Sequence, residues 1–208
     1  MTAVAFDIGG VLLDWNPRHL YRTLFDGDED AMEHFLATVC TQEWNAHNDR
    51  GRPLAEGVAL LSAEHPGQAE LIEAFAARWP ETVAGPIDGS VQVLAELVEN
   101  GTPVYALSNW SAETFALARN RYEFLEWFDG MVISGYEGVI KPEPRIFEIL
   151  CERWGLHPAT TVFVDDTEAN VDAARELGFQ AIQFHDPPRL RAALVEAAVL
   201  PRAPGRGR

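Results

Sequence analysis

Five short apolar runs that never alternate with polar residues set the fold: AVAF (3–6), PVYAL (103–107), MVIS (131–134), TVFV (161–164) and QAIQF (180–184). A strand with one wet face alternates polar and apolar side chains, whereas a strand covered by helices on both faces is apolar throughout. Amphipathic segments separate the runs. DGSVQVLAELVENG (88–101) gathers Val91, Leu94, Leu97 and Val98 on one face and stops at Gly101, suited to a left-handed C-cap. SAETFALARNR (111–121), EPRIFEILCERWG (143–155) and TEANVDAARELG (167–178) carry similar spacing, the last two ending on glycine. Strands alternating with helices predict an α/β fold, a Rossmann-like parallel five-stranded sheet flanked by helices.

Residues 16–84 break this rhythm. Asn16-Pro17 is a helix start with proline at the first helical position. Helical patterns follow near 17–25, 29–40, 53–63 and 67–79, with no convincing strand, in a stretch too long for a simple crossover. The expectation is an α/β core of residues 1–15 plus 85–200, an inserted helical cap domain of 16–84, and a frayed tail at 201–208. AGPIDG (84–89) marks the return to the core, and no internal repeat is evident.

The chain has 208 residues, 47% apolar and 23% charged, enough for a substantial core, and a formal net charge of −16. Nucleic-acid affinity comes largely from Lys and Arg neutralising phosphates, so this balance argues against it. Two cysteines, Cys40 and Cys151, far apart in sequence, suggest neither a disulfide framework nor a cysteine metal site. The N-terminus lacks the basic segment of a signal peptide, and no stretch approaches the roughly 18 apolar residues of a membrane span. The expectation is a soluble cytoplasmic protein, monomer or weak homodimer, whose partner is a small phosphorylated molecule rather than nucleic acid or membrane.

Ligands of open parallel sheets bind beyond the C-terminal strand ends. Asp7, Gly9 and Gly10 follow the first apolar run; Ser108 and Asn109 follow the second, Lys141 the third, and Asp165 and Asp166 the fourth. Each alone reads as a turn residue, helix cap or solvated side chain. Together they offer carboxylates for a hard cation and an ammonium, hydroxyl and amides for phosphate oxygens, the requirements of a phosphate bound with Mg²⁺.

FDIGGVL, LSNW, IKPEPRIF and VFVDDTEAN resemble, in order, the four motifs of the haloacid dehalogenase-like hydrolase superfamily, and the insertion falls where its helical cap domain sits. The resemblance implies a nucleophilic Asp7 that forms an aspartyl-phosphate, with Ser108 and Lys141 orienting nucleophile and phosphate. It implies phosphate contacts at Ser108, Asn109, Lys141 and Gly10. It implies Mg²⁺ held by the Asp7 carboxylate, the Gly9 carbonyl, Asp166 and Asp165. Asp166, four residues before Asn170, is the better direct ligand; Asp165 is a second ligand or its support, and Asn170 would support the metal site.

One position departs from the pattern. Most phosphatases of this superfamily carry a second Asp two residues after the nucleophile, as general acid and base, and here it is Gly9. That leaves three readings. The first is a phosphatase resembling sugar-1-phosphate phosphatases, whose leaving group needs less protonation. The second is a 2-haloacid dehalogenase-type hydrolase, against which the Asp165-Asp166 pair argues. The third is a non-catalytic member that binds a phospho-ligand or a protein.

EWNAHNDRGRP (43–53) is dense in polar groups between helical patterns. Trp44, His47, Asn48 and Arg50 either contact the substrate, with His47 and Arg50 as binding residues, or form a solvated helix end anchored by Trp44. Trp15 is expected to pack at the hinge, His185 to be a loop residue, and YEFLEWFDG (122–130) to be core.

Overall fold

A computed structural model of the chain describes residues 2–201. Five strands form one parallel sheet: β1 (Ala3–Phe6), β4 (Val104–Ser108), β5 (Gly130–Ile133), β6 (Thr161–Asp165) and β7 (Gln180–Gln183), in the order β5-β4-β1-β6-β7. Each is one of the five apolar runs to within a residue at either end. Two further strands, β2 (Leu13–Trp15) and β3 (Val83–Pro86), pair antiparallel with each other.

The continuous apolar runs have a simple cause. Along β1, β4 and β6, alternate side chains enter two cores. Val4, Phe6, Val104, Ala106, Val162 and Val164 belong to one, and Ala5, Tyr105, Leu107 and Phe163 to the other. The first is covered by α6 (Asp88–Glu99) and α11 (Pro187–Glu196), through Leu94, Leu97, Leu190 and Leu194. The second is covered by α9 (Pro144–Trp154) and α10 (Glu168–Glu176), through Ile146, Phe147, Leu150 and Ala174. Each large apolar side chain fully buried this way contributes about 1.5–3 kcal/mol of transfer free energy. α7 (Ala112–Arg119) and the single turn α8 (Ser134–Glu137) follow β4 and β5 at the sheet's C-terminal edge.

The helical insertion leaves and re-enters through the β2–β3 ribbon, which sequence periodicity did not show: strands of three and four residues, one holding Gly85 and Pro86, carry too little pattern. Between them run α1 (Pro17–Leu24), α2 (Glu29–Thr38), α3 (Gln42–Asp49), α4 (Leu54–Glu64) and α5 (Ala69–Ala77). Asn16 caps α1, its side chain accepting from the Arg18 amide. Leu20, Tyr21, Met32, Phe35, Ile72 and Phe75 pack together and run on into the first sheet core. Most of the polar stretch 43–53 is helical, which corrects the expectation of a segment between helices. Thr41 caps α3 by accepting from the Trp44 amide at 3.1 Å.

Cys40 and Cys151 are unpaired, and Tyr122, Phe124, Leu125 and Phe128 are core. Among the described residues no helix is long and apolar enough to cross a membrane. The tail expected at 201–208 lies, apart from Pro201, outside the described residues.

Candidate active site

From β1 the chain steps to β4 and β5 on one side, then to β6 and β7 on the other, so the topology reverses direction at β1. Such a switch point opens a crevice beyond the strand ends. Asp7 stands there, one residue past β1, held in place by its amide donating to the Val164 carbonyl at 2.8 Å.

The Asp7 carboxylate is buried and its two oxygens have different partners. Oδ1 accepts from the Ile8 amide and from Ser108 Oγ, both at 2.7 Å, and Oδ2 lies 3.0 Å from Lys141 Nζ. Lys141 is itself only 2% exposed and makes a second, closer ion pair with Asp165 at 2.6 Å. One ammonium therefore serves two carboxylates. Burial opposes its charge, yet Asp165 and Asp7 together hold its pKa above the ordinary lysine value. Asp7 receives only part of that cation. Burial, with Asp165 and Asp166 nearby, pushes its pKa up to about 7 against the pull of Lys141 and Ser108.

Asp165 and Asp166 differ sharply in what surrounds them. Asp165 is fully buried and fully engaged: its oxygens accept from Lys141 Nζ, the Thr167 amide at 2.8 Å and Asn170 Nδ2 at 3.0 and 3.1 Å. Asn170 thus braces Asp165 rather than Asp166. Asp166 reaches solvent and has one weak side-chain partner, Thr167 Oγ1 at 3.4 Å; partial desolvation of its carboxyl by the loops around it, together with Asp165, raises its pKa. Carboxylate oxygens of Asp7, Asp165 and Asp166 all lie within 4.8 Å of one another. Three carboxylates against one ammonium leave a surplus of negative charge that a divalent cation with oxygen ligands would offset.

Gly10 and Gly9 fit this site for different reasons. Gly10 has φ +75°, and a Cβ there would lie 2.4 Å from Asp166 Oδ2, so only glycine lets the loop run against that carboxylate. At Gly9 a Cβ would meet only Trp15 Cβ, at 3.9 Å. Space does not explain why an acid is missing there.

Asp7, Gly9, Gly10, Asn109, Lys141 and Asp166 line one cavity of about 910 Å³. Asn109 is occupied in positioning Lys141: its Nδ2 donates to the Lys141 carbonyl at 2.9 Å and its Oδ1 accepts the Lys141 amide at 2.7 Å. That side-chain amide is therefore already bonded, which leaves the Asn109 backbone amide for the phosphate contact expected there.

The far wall comes mainly from the insertion and is mixed in character. Leu36, Phe75 and Trp79, with Trp15 of β2 and Trp110 just after β4, supply apolar surface, while Arg18, Glu33, Asn45 and Asp49 supply polar groups. His47 and Arg50, expected as substrate contacts, are not among the lining residues. His47 is exposed on α3, and Arg50 pairs with Glu143 across from the core. The reason is helical geometry. Residues three and four apart share a face, so Trp44 and Asn48 turn inward, Asn45 and Asp49 turn to the cavity, and His47 is carried away. Trp44 packs edge-on against Phe75 at 5.1 Å and donates to the Gly57 carbonyl, and Asn48 accepts from Arg52 Nε. Trp15 lines the cavity as well as pairing in the ribbon, and His185 is an exposed loop residue.

Comparison with known proteins shows the family of the chain. A model of the haloacid dehalogenase-like hydrolases matches residues 1–178. The chain is 28% identical over 194 residues to a sesquiterpene phosphatase of Aspergillus oryzae, covering 88% of this chain and 90% of that protein. It is 28% identical over 189 residues to a phosphorylated carbohydrates phosphatase of Thermotoga maritima, covering 88% and 84%. A solved HAD family enzyme from Bacteroides thetaiotaomicron, in complex with magnesium and inorganic phosphate, superposes with a TM-score of 0.68 at 23% identity, over 89% of this chain and 95% of that one.

Proposed function

The chain belongs to the haloacid dehalogenase-like hydrolases, and we propose that within them it is a Mg²⁺-dependent phosphatase of a small phosphorylated metabolite, acting through an aspartyl-phosphate on Asp7. The observation that carries this reading is the charge arrangement at the sheet edge: a buried carboxylate hydrogen-bonded by Ser108, a buried ammonium, and an acidic surplus facing one cavity.

Each residue's part follows from its contacts. Ser108 and the Ile8 amide fix Oδ1 of Asp7, which leaves the rest of the carboxylate to attack phosphorus. Lys141 neutralises charge on the phosphoryl oxygens and favours the ionised nucleophile. Asp165, Asn170 and Asn109 hold Lys141 and its loop in place. Asp7, Asp166 and the Gly9 carbonyl would hold the cation, with Asp165 behind them. When bound, Mg²⁺ supplies positive charge for the phosphoryl oxygens and lowers the pKa of the Asp7 carboxyl.

For substrate, the polar groups Arg18, Glu33 and Asn45 support a sugar phosphate, in keeping with the Thermotoga relative. A second reading has its own observation: the wall formed by Leu36, Phe75, Trp79 and Trp110 would take an apolar tail, as the Aspergillus relative's name describes for that protein. The test is phosphate release from a panel of anomeric sugar phosphates, sugar-alcohol phosphates and prenyl phosphates, with Mg²⁺ and with EDTA. Metal-dependent release confirms the phosphatase, and the preferred ester decides between the walls. Halide release from 2-haloacids in EDTA, with no phosphate release, would place the chain with dehalogenases instead.

A further inference from the structure

The core lacks a proton donor for the leaving group, since position 9 is glycine, yet the insertion brings carboxylates of its own to the cavity, Asp49 among them. Asp49, the last residue of α3, lines the same cavity as Asp7 and is partly buried. Its Oδ2 accepts from Asn45 Nδ2 at 2.9 Å, one helical turn back. Among the described residues it takes part in no ion pair, so its carboxyl is committed to no cation.

The backbone around Asp49 is fastened to the sheet domain. Ser134 Oγ, itself oriented by the Trp110 amide at 2.9 Å, donates to the Asp49 carbonyl at 2.5 Å. Arg50 pairs with Glu143, and the Leu54 amide donates to Glu113 at 3.1 Å. Gly51, at φ +106°, passes so near α8 that a Cβ would stand 3.0 Å from the Gly135 carbonyl oxygen. Three contacts and one close approach therefore set this end of the insertion over the active-site edge.

Resting on the phosphatase reading, we infer that Asp49 is the general acid and base of the reaction, supplied by the helical insertion in place of the residue missing at Gly9. In the first half-reaction an Asp7 oxygen attacks phosphorus and the bond from phosphorus to the leaving oxygen breaks. Its electron pair goes to that oxygen, which takes the proton of the Asp49 carboxyl. In the second, water attacks phosphorus of the aspartyl-phosphate and gives a proton to the Asp49 carboxylate. The phosphorus–Asp7 bond breaks, phosphate leaves, and both carboxyl groups return to their starting states. Burial pushes the Asp49 pKa up to about 7, with Asp7 adding to the rise and the Ser111 amide and Lys141 opposing it. A group with that pKa gives and takes a proton near neutral pH with similar ease.

Asp49→Asn tests this in the full-length enzyme with Mg²⁺. The readout is kcat/KM for p-nitrophenyl phosphate, whose leaving group needs no proton, and for a panel of alkyl phosphates including glycerol 3-phosphate. Loss of the acid should lower alkyl turnover by about 10²–10⁴-fold, with the aryl ester falling much less. The alkyl-to-aryl ratio is taken within one preparation, so any unfolded fraction cancels. Asp49→Glu, which keeps a carboxyl, should hold the ratio near that of the wild type. Equal losses on both ester types in Asp49→Asn would overturn the inference and leave the phosphatase standing. So would a wild type that hydrolyses only the aryl ester. A wild type that releases phosphate from neither would overturn the phosphatase reading itself.

Discussion

Replacing the nucleophile should stabilise the metal-free protein, and by an amount that depends on pH. In the folded chain burial and the neighbouring Asp165 and Asp166 raise the Asp7 pKa from its ordinary 3.8 to about 7. A carboxyl whose folded pKa is raised costs nothing below pH 3.8. Its penalty grows as pH rises and is complete above about 7, because the folded state then loses a proton that it bound more tightly than the unfolded chain. At about 1.4 kcal/mol per pH unit the full penalty is about 4 kcal/mol. Asp7→Asn removes it. The new amide still accepts from Ser108 and Ile8, but it turns an N–H₂ toward Lys141, at a cost of about 1–3 kcal/mol, while Lys141 keeps Asp165. The variant should therefore be about 1–3 kcal/mol more stable than wild type at pH 8, and about equal at pH 5. Urea denaturation in EDTA at a series of pH values measures the difference. Asparagine does not titrate, so the pH dependence of that difference reports Asp7 together with the carboxyls whose ionisation its charge opposes, Asp49 among them. A difference that stays constant from pH 5 to 8, or a variant less stable than wild type at pH 8, would refute the charge analysis of the site. Turnover should be lost at every pH.

Mg²⁺ at about a hundred times its dissociation constant should stabilise the wild type by about 2.7 kcal/mol. For a chain of this size that is a rise in Tm of about 5–10 °C. The rise should be largest at pH 8 and shrink toward pH 5 as Asp7 and Asp166 take up protons; Asp166→Asn should abolish most of it, as differential scanning calorimetry would show. Gly10→Ala should cost about 1–3 kcal/mol through its positive φ and weaken Mg²⁺ binding through its clash with Asp166, while Gly9→Ala changes stability by less than about 1 kcal/mol; thermal melts with and without Mg²⁺ compare the two. His47→Ala should leave KM within about threefold of wild type for every ester. Arg50→Ala, breaking a half-exposed ion pair worth about 0.2–1 kcal/mol, should shift KM for all esters by one common factor, and steady-state kinetics on two unrelated esters would expose any substrate-specific effect.

What was legible in the sequence follows from where the information lies. β1, β4 and β6 bury every residue, so they stand out as unbroken apolar runs, and the polar residue that ends each run is fixed at the site edge by the strand before it. Asp7, Ser108 and Asp165 could be placed in that way, and Lys141 by its motif. The roles of Asn109 and Asn170 could not, since a side-chain amide bracing a lysine loop or a carboxylate has the same one-letter signature as a turn. α3 was missed for a different reason. Only Trp44 and Asn48 on it are buried, and a helix whose inward face holds one apolar residue shows no hydrophobic period. Without that helix the spacing of Asn45 and Asp49 has no meaning, and His47, chemically the more attractive residue, draws attention to the wrong face.

A proton donor on the insertion stands beside a core that is already rich in carboxylates. Asp7, Asp165 and Asp166 already share one lysine, and Asp7 needs to be ionised to attack phosphorus. A fourth carboxylate two residues along would raise the Asp7 pKa further, since like charges at close range each disfavour the other's ionised form. A Cβ at Gly9 would meet only Trp15 Cβ, at 3.9 Å, so close backbone approach is not what keeps a side chain from that position. At Asp49 burial is the largest cause of the raised pKa, the charge of Asp7 adds to it, and Lys141 offsets part of the rise. The hydrogen bond from Ser134 Oγ to the Asp49 carbonyl means that the acid is held in place by contact between this end of the insertion and the core. The donor is thus part of the cavity wall, set there by the same contacts that fasten α3 to the sheet domain.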